Sequence, residues 1–205
     1  MIVRDTLDNG LRLLTESIPY VRSVSFGVWL TRGSRQEGSA WPGIAHFVEH
    51  MLFKGSENRS AEAIAQAADS IGGQMDASTG KENANYSIKV LDEQLSVAVD
   101  ILSDVVLHPR FADDDVHREK NVVLEEIKMV EDTPDDLVHE LFLQRFWSGH
   151  PLGMPILGTR DSIEALTAQA LRDYFAATYT SDNLIIAAAG NLEHASVREL
   201  VERAF

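Results

Sequence analysis

The stretch Pro42-Gly43-Ile44-Ala45-His46-Phe47-Val48-Glu49-His50-Met51-Leu52-Phe53 has two faces when wound as a helix. With His46 at zero, Glu49 falls at about 300 degrees and His50 at about 40 degrees, on one flank. Ile44, Phe47, Val48, Met51 and Leu52 occupy the opposite arc, about 100 to 240 degrees, as an apolar anchor. Two histidines four apart thus present their imidazoles from one side, a turn apart, with a carboxylate beside them. A zinc hydrolase needs this donor set: neutral nitrogens to hold a metal that acidifies water, and a base to take the proton. Histidines at this spacing also occur by chance on solvated helices, so the motif needs a third ligand from elsewhere in the chain.

The helix expected over residues 112–132 offers the best candidates, Glu119, Glu125 and Glu126. With Val123 at zero, Val116, Ile127 and Val130 fall within about 40 degrees of it and define the buried stripe. Glu126 at about 300 degrees and Glu119 at about 320 degrees border that stripe, whereas Glu125 at about 200 degrees lies on the far side. An ionised carboxylate beside an apolar stripe is costly unless a cation meets it, which an arginine or lysine can also do. A metal site short of one ligand makes coordination the better explanation, with Glu126 as the ligand and Glu119 two turns away behind it. His108, His117, His139, His150 and His194 stand singly and read as surface or capping residues. His139-Glu140 begins the order H-E-x-x-H, but Leu143 breaks it.

Around these helices the chain alternates strand and helix signals. Residues 2–6 and 11–16 read as strands joined by Asp8-Asn9-Gly10, a hairpin turn. Val24, Phe26, Val28 and Leu30 alternate with Ser25, Gly27 and Trp29 as a half-buried strand. Ser60 to Ile71 is alanine-rich and stops at Gly72-Gly73, a helix. Gln74 to Thr79 and Glu82 to Val90 flank Gly80-Lys81 as a second hairpin. Helices are expected at 92–107, 112–132, 135–147 and 161–176, a continuous apolar strand over 183–189, and a last helix from Ala195. Pro109 and Pro134 punctuate the helical run. With no low-complexity linker, residues 1–205 are expected to form one α+β domain, a mostly antiparallel sheet with helices packed on one face. The last helix has no cap or breaker, so the chain is expected to belong to a longer protein.

Composition narrows the chemistry further. The absence of cysteine excludes disulfides, thiolate metal sites and cysteine nucleophiles. No apolar run approaches the roughly 20 residues of a membrane span, and the N-terminus lacks the apolar core of an export signal. A cytoplasmic location is the expectation. A net charge of −14, from 32 acidic and 18 basic residues, repels nucleic acid and favours basic partners.

The sequence resembles the zinc metallopeptidase family of pitrilysin, insulin-degrading enzyme and mitochondrial processing peptidase. H-x-x-E-H with a glutamate some 75 residues later carries the likeness. So do Thr6 to Arg12, Gly33-Ser34-Arg35-Gln36-Glu37, Gly43 to Gly55, Glu119 to Glu126, and Tyr179 to Gly190. The resemblance implies a processing-peptidase-like fold and one Zn2+, held by His46, His50 and Glu126. It makes Glu49 the general base and Glu119 a supporting carboxylate that influences catalysis. It further implies that a substrate peptide adds as a strand along Asp76-Ala77-Ser78-Thr79, although the family more often has asparagine where this chain has Asp76. Family members carry two related halves, so a second homologous half, fused or separate, is the expected partner alongside peptide substrates.

The activity implied is zinc endopeptidase action on peptides or short unfolded proteins. The alternative is a non-catalytic peptide-binding or scaffolding subunit of a processing-peptidase-like complex. Such relatives lose motif residues, and this chain keeps all five. A lyase with a related inverted motif is excluded, because its metal site uses a cysteine.

Overall fold

In the computed structural model, which describes residues 1–38 and 40–205, a six-stranded sheet runs in the order β1-β2-β6-β3-β5-β4. The strands are β1 (Ile2–Thr6), β2 (Arg12–Ser17), β3 (Ser23–Leu30), β4 (Gln74–Thr79), β5 (Ala84–Leu91) and β6 (Leu184–Gly190). Every pairing is antiparallel except β2 with β6, where Leu13 sits beside Ile186. The helices are α1 (Ile44–Leu52), α2 (Ala61–Ser70), α3 (Leu95–Leu107), α4 (Asp113–Asp132), α5 (Pro134–Phe146), α6 (Arg160–Ala165), α7 (Ala168–Thr178) and α8 (His194–Ala204).

Period-two alternation decides which face is covered. Phe26 lies between Ile88 of β5 and Ala188 of β6, and all three are buried under the helices with Val24, Val28, Tyr86 and Ile186. On the other face, Ser25, Trp29, Asn85 and Ser87 meet solvent, and Trp29 is 42% exposed. The expected mostly antiparallel sheet with helices on one side is therefore the observed architecture. The late strand β6 slots between β2 and β3, so the sheet is complete only when residues 184–190 return to it. β4 is left as one free edge, next to α1.

Three local expectations are corrected. The second hairpin turns through four residues, 80–83, and its return strand starts at Ala84 rather than Glu82. The turn is widened because Ser34 N–H donates to Gly80 O and Arg35 N–H to Lys81 O, which ties it to the short 3-10 turn Ser34–Gln36. The helix expected over 161–176 is two, α6 and α7. Leu166 turns into the core and Thr167 caps α7 by accepting from Ala170 N–H. The first turn of the helix expected from residue 92 is a 3-10 turn, Asp92–Gln94.

Entry into α1 depends on residues outside it. Gly43 sits at φ 90, and a Cβ there would fall 2.7 Å from Leu157 O, so only glycine fits. No side chain of the segment itself caps the helix. Glu37 does so from the 3-10 turn region, accepting from Gly43 N–H and Ala45 N–H at 2.8 Å each. Ile44, Phe47, Val48, Met51 and Leu52, the apolar arc read from the sequence, are then buried together with Ala45.

Burial, opposed by those two backbone donors, lifts the Glu37 carboxyl from 4.5 to about 7. A carboxyl whose folded-state pKa is raised adds stability at low pH that is lost as pH rises through the folded value. Relative to Glu37→Gln, the wild type is therefore expected to gain stability as pH falls from about 7 to about 4.5 in urea unfolding. Glu37→Ala, which uncaps α1, is expected to cost about 1–2 kcal/mol in the same measurement.

Candidate metal centre

α1 and α4 face each other so that three ligand atoms converge. His46 Nε2 and His50 Nε2 are 3.2 Å apart, His50 Nε2 and Glu126 Oε2 3.5 Å, and His46 Nε2 and Glu126 Oε2 3.9 Å. Donors at 2.0–2.1 Å from a tetrahedral zinc are separated by about 3.3 Å, so the triangle is of the right size. Two imidazole nitrogens and a carboxylate oxygen aimed at one point repel one another unless a proton or cation lies between them. Glu126 Oε2 is buried and has no hydrogen-bond partner among the described residues, an expensive arrangement for a carboxylate that a metal ion would relieve. The residues present fit a zinc ion.

α4 separates Glu119, Glu125 and Glu126 as the angular reading expects. Glu125 is turned to solvent, where it pairs with Lys128. Glu119 is 3% exposed and reaches the back of His50: its Oε1 accepts from His50 Nδ1 at 2.8 Å. Its Oε2 accepts from Lys54 Nζ at 2.7 Å. Burial opposes a charge on Glu119, but the His50 and Lys54 bonds outweigh it and hold the carboxyl below its ordinary range. The His50 bond fixes the tautomer, leaving Nε2 free for a metal. Among the described residues, His46 Nδ1 has no such partner. Burial, and then the neighbouring His50, lower the His46 pKa to about 4, so this ring is neutral at pH 7. Burial also opposes a charge on His50, but Glu119, Glu126 and Glu49 outweigh it and raise its pKa. Val116 and Val123 of the α4 stripe are buried, whereas Ile127 and Val130 are half-buried because that end of the helix borders a cavity.

This cavity, about 660 Å³, lies between α1, β4, α4, α5 and residues 155–160. His46, Glu49, Ala77, Thr79, Ile127 and Leu141 are among its walls. Glu49 accepts a hydrogen bond from the Thr79 hydroxyl. Its pKa is raised, by burial first and against the Thr79 bond.

The segment Asp76-Ala77-Ser78-Thr79 lies on the free edge strand and divides between the two faces. Ala77 and Thr79 line the cavity from the helix side. Asp76 and Ser78 side chains alternate to the exposed side, and Asp76 Oδ1 accepts from Ala77 N–H at 3.0 Å. Gly80 N–H donates to Asn83 O, and hydrogen-bonded pairs alternate along an antiparallel ladder. Met75, Ala77 and Thr79 therefore direct their backbone groups to the open edge.

Sequence reasoning missed two residues, Lys54 and Glu37, and one contact of a third, Thr79. Thr79 was expected as part of a substrate strand, not as a partner of Glu49. Lys54 lies four residues past His50 on the same helical stripe, a signal that could have found it. Glu37 is joined to α1 by folding alone, and nothing in its spacing reveals the link.

The family model for insulinase (peptidase family M16) matches residues 12–160. The chain belongs to peptidase family M16. A second M16 model, described as the inactive domain, matches residues 165–205, which hold none of the converging ligand residues. An uncharacterized zinc protease of Mycobacterium leprae is 46% identical over 204 residues, 100% of this chain and 46% of that protein. Another from Bacillus subtilis is 46% identical over 200 residues, 98% of this chain and 49% of that protein. A protease structure from Helicobacter pylori superposes with a TM-score of 0.95 at 25% identity, covering 100% of this chain and 50% of that one. The chain thus spans about half the length of the M16 relatives it matches. Among the described residues, no helix is long and apolar enough to cross a membrane.

Added zinc is expected to raise the unfolding temperature of the wild type, because a ligand that binds only the folded state stabilises it. Glu126→Gln is expected to abolish most of that rise, while its metal-free unfolding temperature stays within about 2–4 °C of the wild type.

Proposed function

We propose that this M16 chain is the catalytic first half of a zinc-dependent endopeptidase acting on peptides or short unfolded proteins. The observation that carries the reading is the convergence of His46 Nε2, His50 Nε2 and a buried Glu126 Oε2 without a hydrogen-bond partner among the described residues, beside a cavity that His46 and Glu49 line. His46, His50 and Glu126 would hold one zinc ion, leaving a fourth position open. Zinc when bound supplies a Lewis acid that polarises a carbonyl and acidifies a water molecule.

The remaining chemistry falls to the chain's own residues. Glu49 takes the proton from the attacking water and returns it to the departing amine. The Thr79 hydroxyl fixes the Glu49 carboxylate in orientation, and Glu119 keeps the His50 ring in the ligating tautomer. The free edge of β4 receives the peptide as an added strand, with Ala77 and Thr79 turning their side chains toward the cavity. Backbone pairing is indifferent to side-chain identity, which suits a peptidase. The charge of −14 favours basic peptides. A second homologous half, in the same chain or a partner subunit, completes the cleft, since the chain spans about half of its relatives.

Glu49→Gln in the full-length protein is expected to keep one zinc per site while kcat/KM on a test peptide falls by about 10²- to 10⁴-fold. Retained activity would remove Glu49 from the role of base, and a wild type that cleaves no peptide would leave the non-catalytic binding role. Thr79→Val removes a bond that lowers the Glu49 pKa, so the acid limb of the kcat/KM profile should move to higher pH. An unmoved limb would separate Thr79 from the base.

A further inference from the structure

Lys54 is tied to the metal centre through a single carboxylate. It follows His46 and His50 at the same four-residue interval and lies just past the end of α1. Its ammonium donates to Glu119 Oε2 at 2.7 Å, while His50 Nδ1 donates to Oε1 of the same group at 2.8 Å. The two oxygens of Glu119 are thus divided between a cation and a ligand ring, inside a site where its side chain is only 4% exposed.

Glu119 without Lys54 would be a buried carboxylate with one oxygen unpartnered, and it could relieve that only by rotating, or by drawing in a proton or water. Rotation would release the His50 ring, whose Nδ1 bond determines where Nε2 points. The Lys54 backbone is itself anchored: its N–H donates to Met51 O, and its carbonyl accepts from Arg110, which pairs with Asp115 of α4. The ammonium therefore projects from a fixed point between α1 and α4.

We infer that Lys54 is a positioning residue of the zinc site, clamping Glu119 so that Glu119 holds His50 in its metal-binding orientation. The inference rests on the proposed zinc ligation by His46, His50 and Glu126. Lys54 touches neither metal nor substrate and acts only through Glu119. Its effect therefore falls on metal affinity and disappears when Glu119 cannot be clamped.

The test is zinc affinity, measured in the full-length protein by competition with a chromophoric chelator, for wild type, Lys54→Met, Lys54→Gln, Lys54→Arg, Glu119→Gln and Lys54→Met/Glu119→Gln. Lys54→Met and Lys54→Gln are expected to weaken zinc binding about 10- to 100-fold, the range for a lost outer partner of a metal-binding histidine. Lys54→Arg, which keeps the charge, should recover most of that loss. The double variant should bind zinc no more weakly than Glu119→Gln alone, because both changes break one chain of contacts. Thermal unfolding of the metal-free variants checks that each remains folded. Zinc affinity of both neutral Lys54 variants within about twofold of wild type would overturn the inference, as would losses that multiply in the double variant. Failure of the wild type to take up zinc would instead overturn the ligand assignment on which it rests.

Discussion

The burial of one face of α1 is the constraint on which the rest of the molecule depends. Phe47, Val48, Met51 and Leu52 are each at most 1% exposed. Because they are packed on every side, the helix has one rotation about its axis, and that rotation aims His46, Glu49 and His50 outward together. A shift of one residue in register would turn either both imidazoles or the Glu49 carboxylate into the core. Gly43 and Glu37 set where the helix starts, and the covered face sets how it is rolled. The core thus performs a chemical task indirectly: by fixing the roll of the helix, it delivers three polar groups to one place.

Such an arrangement runs against the ordinary demands of folding. The centre gathers an unpartnered carboxylate oxygen, two facing imidazole nitrogens and a second carboxylate deeper in the protein. Each is tolerated because its backbone sits on a helix whose other residues are well packed. Stability lies in the apolar layer between sheet and helices, while the polar cluster is a local cost that a cation would offset. One wall of the cavity is less firmly held: α5 has no buried residue, and it leaves Phe142 and Phe146 59% and 65% exposed.

Much of this was legible before the structure, for identifiable reasons. The α1 faces and the contrast between Glu125 and Glu126 follow from helical angles, which a long, regular element preserves over several turns. The alternation of β3 and β5 gave their covered face because a strand has only two sides. What escaped the sequence depends on contacts between distant segments. The hairpin turn at 80–83 is widened by Ser34 and Arg35, some fifty residues earlier. The split between α6 and α7 arises because Leu166 is drawn into the core and Thr167 can cap a new helix, a contest that periodicity alone cannot settle. Glu37 reaches α1 across a loop, and Thr79 reaches Glu49 from the sheet. In both cases, side chains with no shared period meet only after the chain has folded.

The bond from Ala77 N–H to Asp76 Oδ1 has a consequence for how the open edge of β4 behaves. An unpaired edge is an invitation to any extended chain, including a second copy of the same protein. Asp76 works as a removable seal, since its own carboxylate already occupies an outward-facing donor that a newcomer would need. A strand arriving there exchanges one hydrogen bond for another instead of adding one, so that position contributes little to its net attraction. The negative charge also discriminates, resisting acidic strands and yielding more readily to basic ones. An edge sealed in this way can be open for transient visitors and still resist permanent ones.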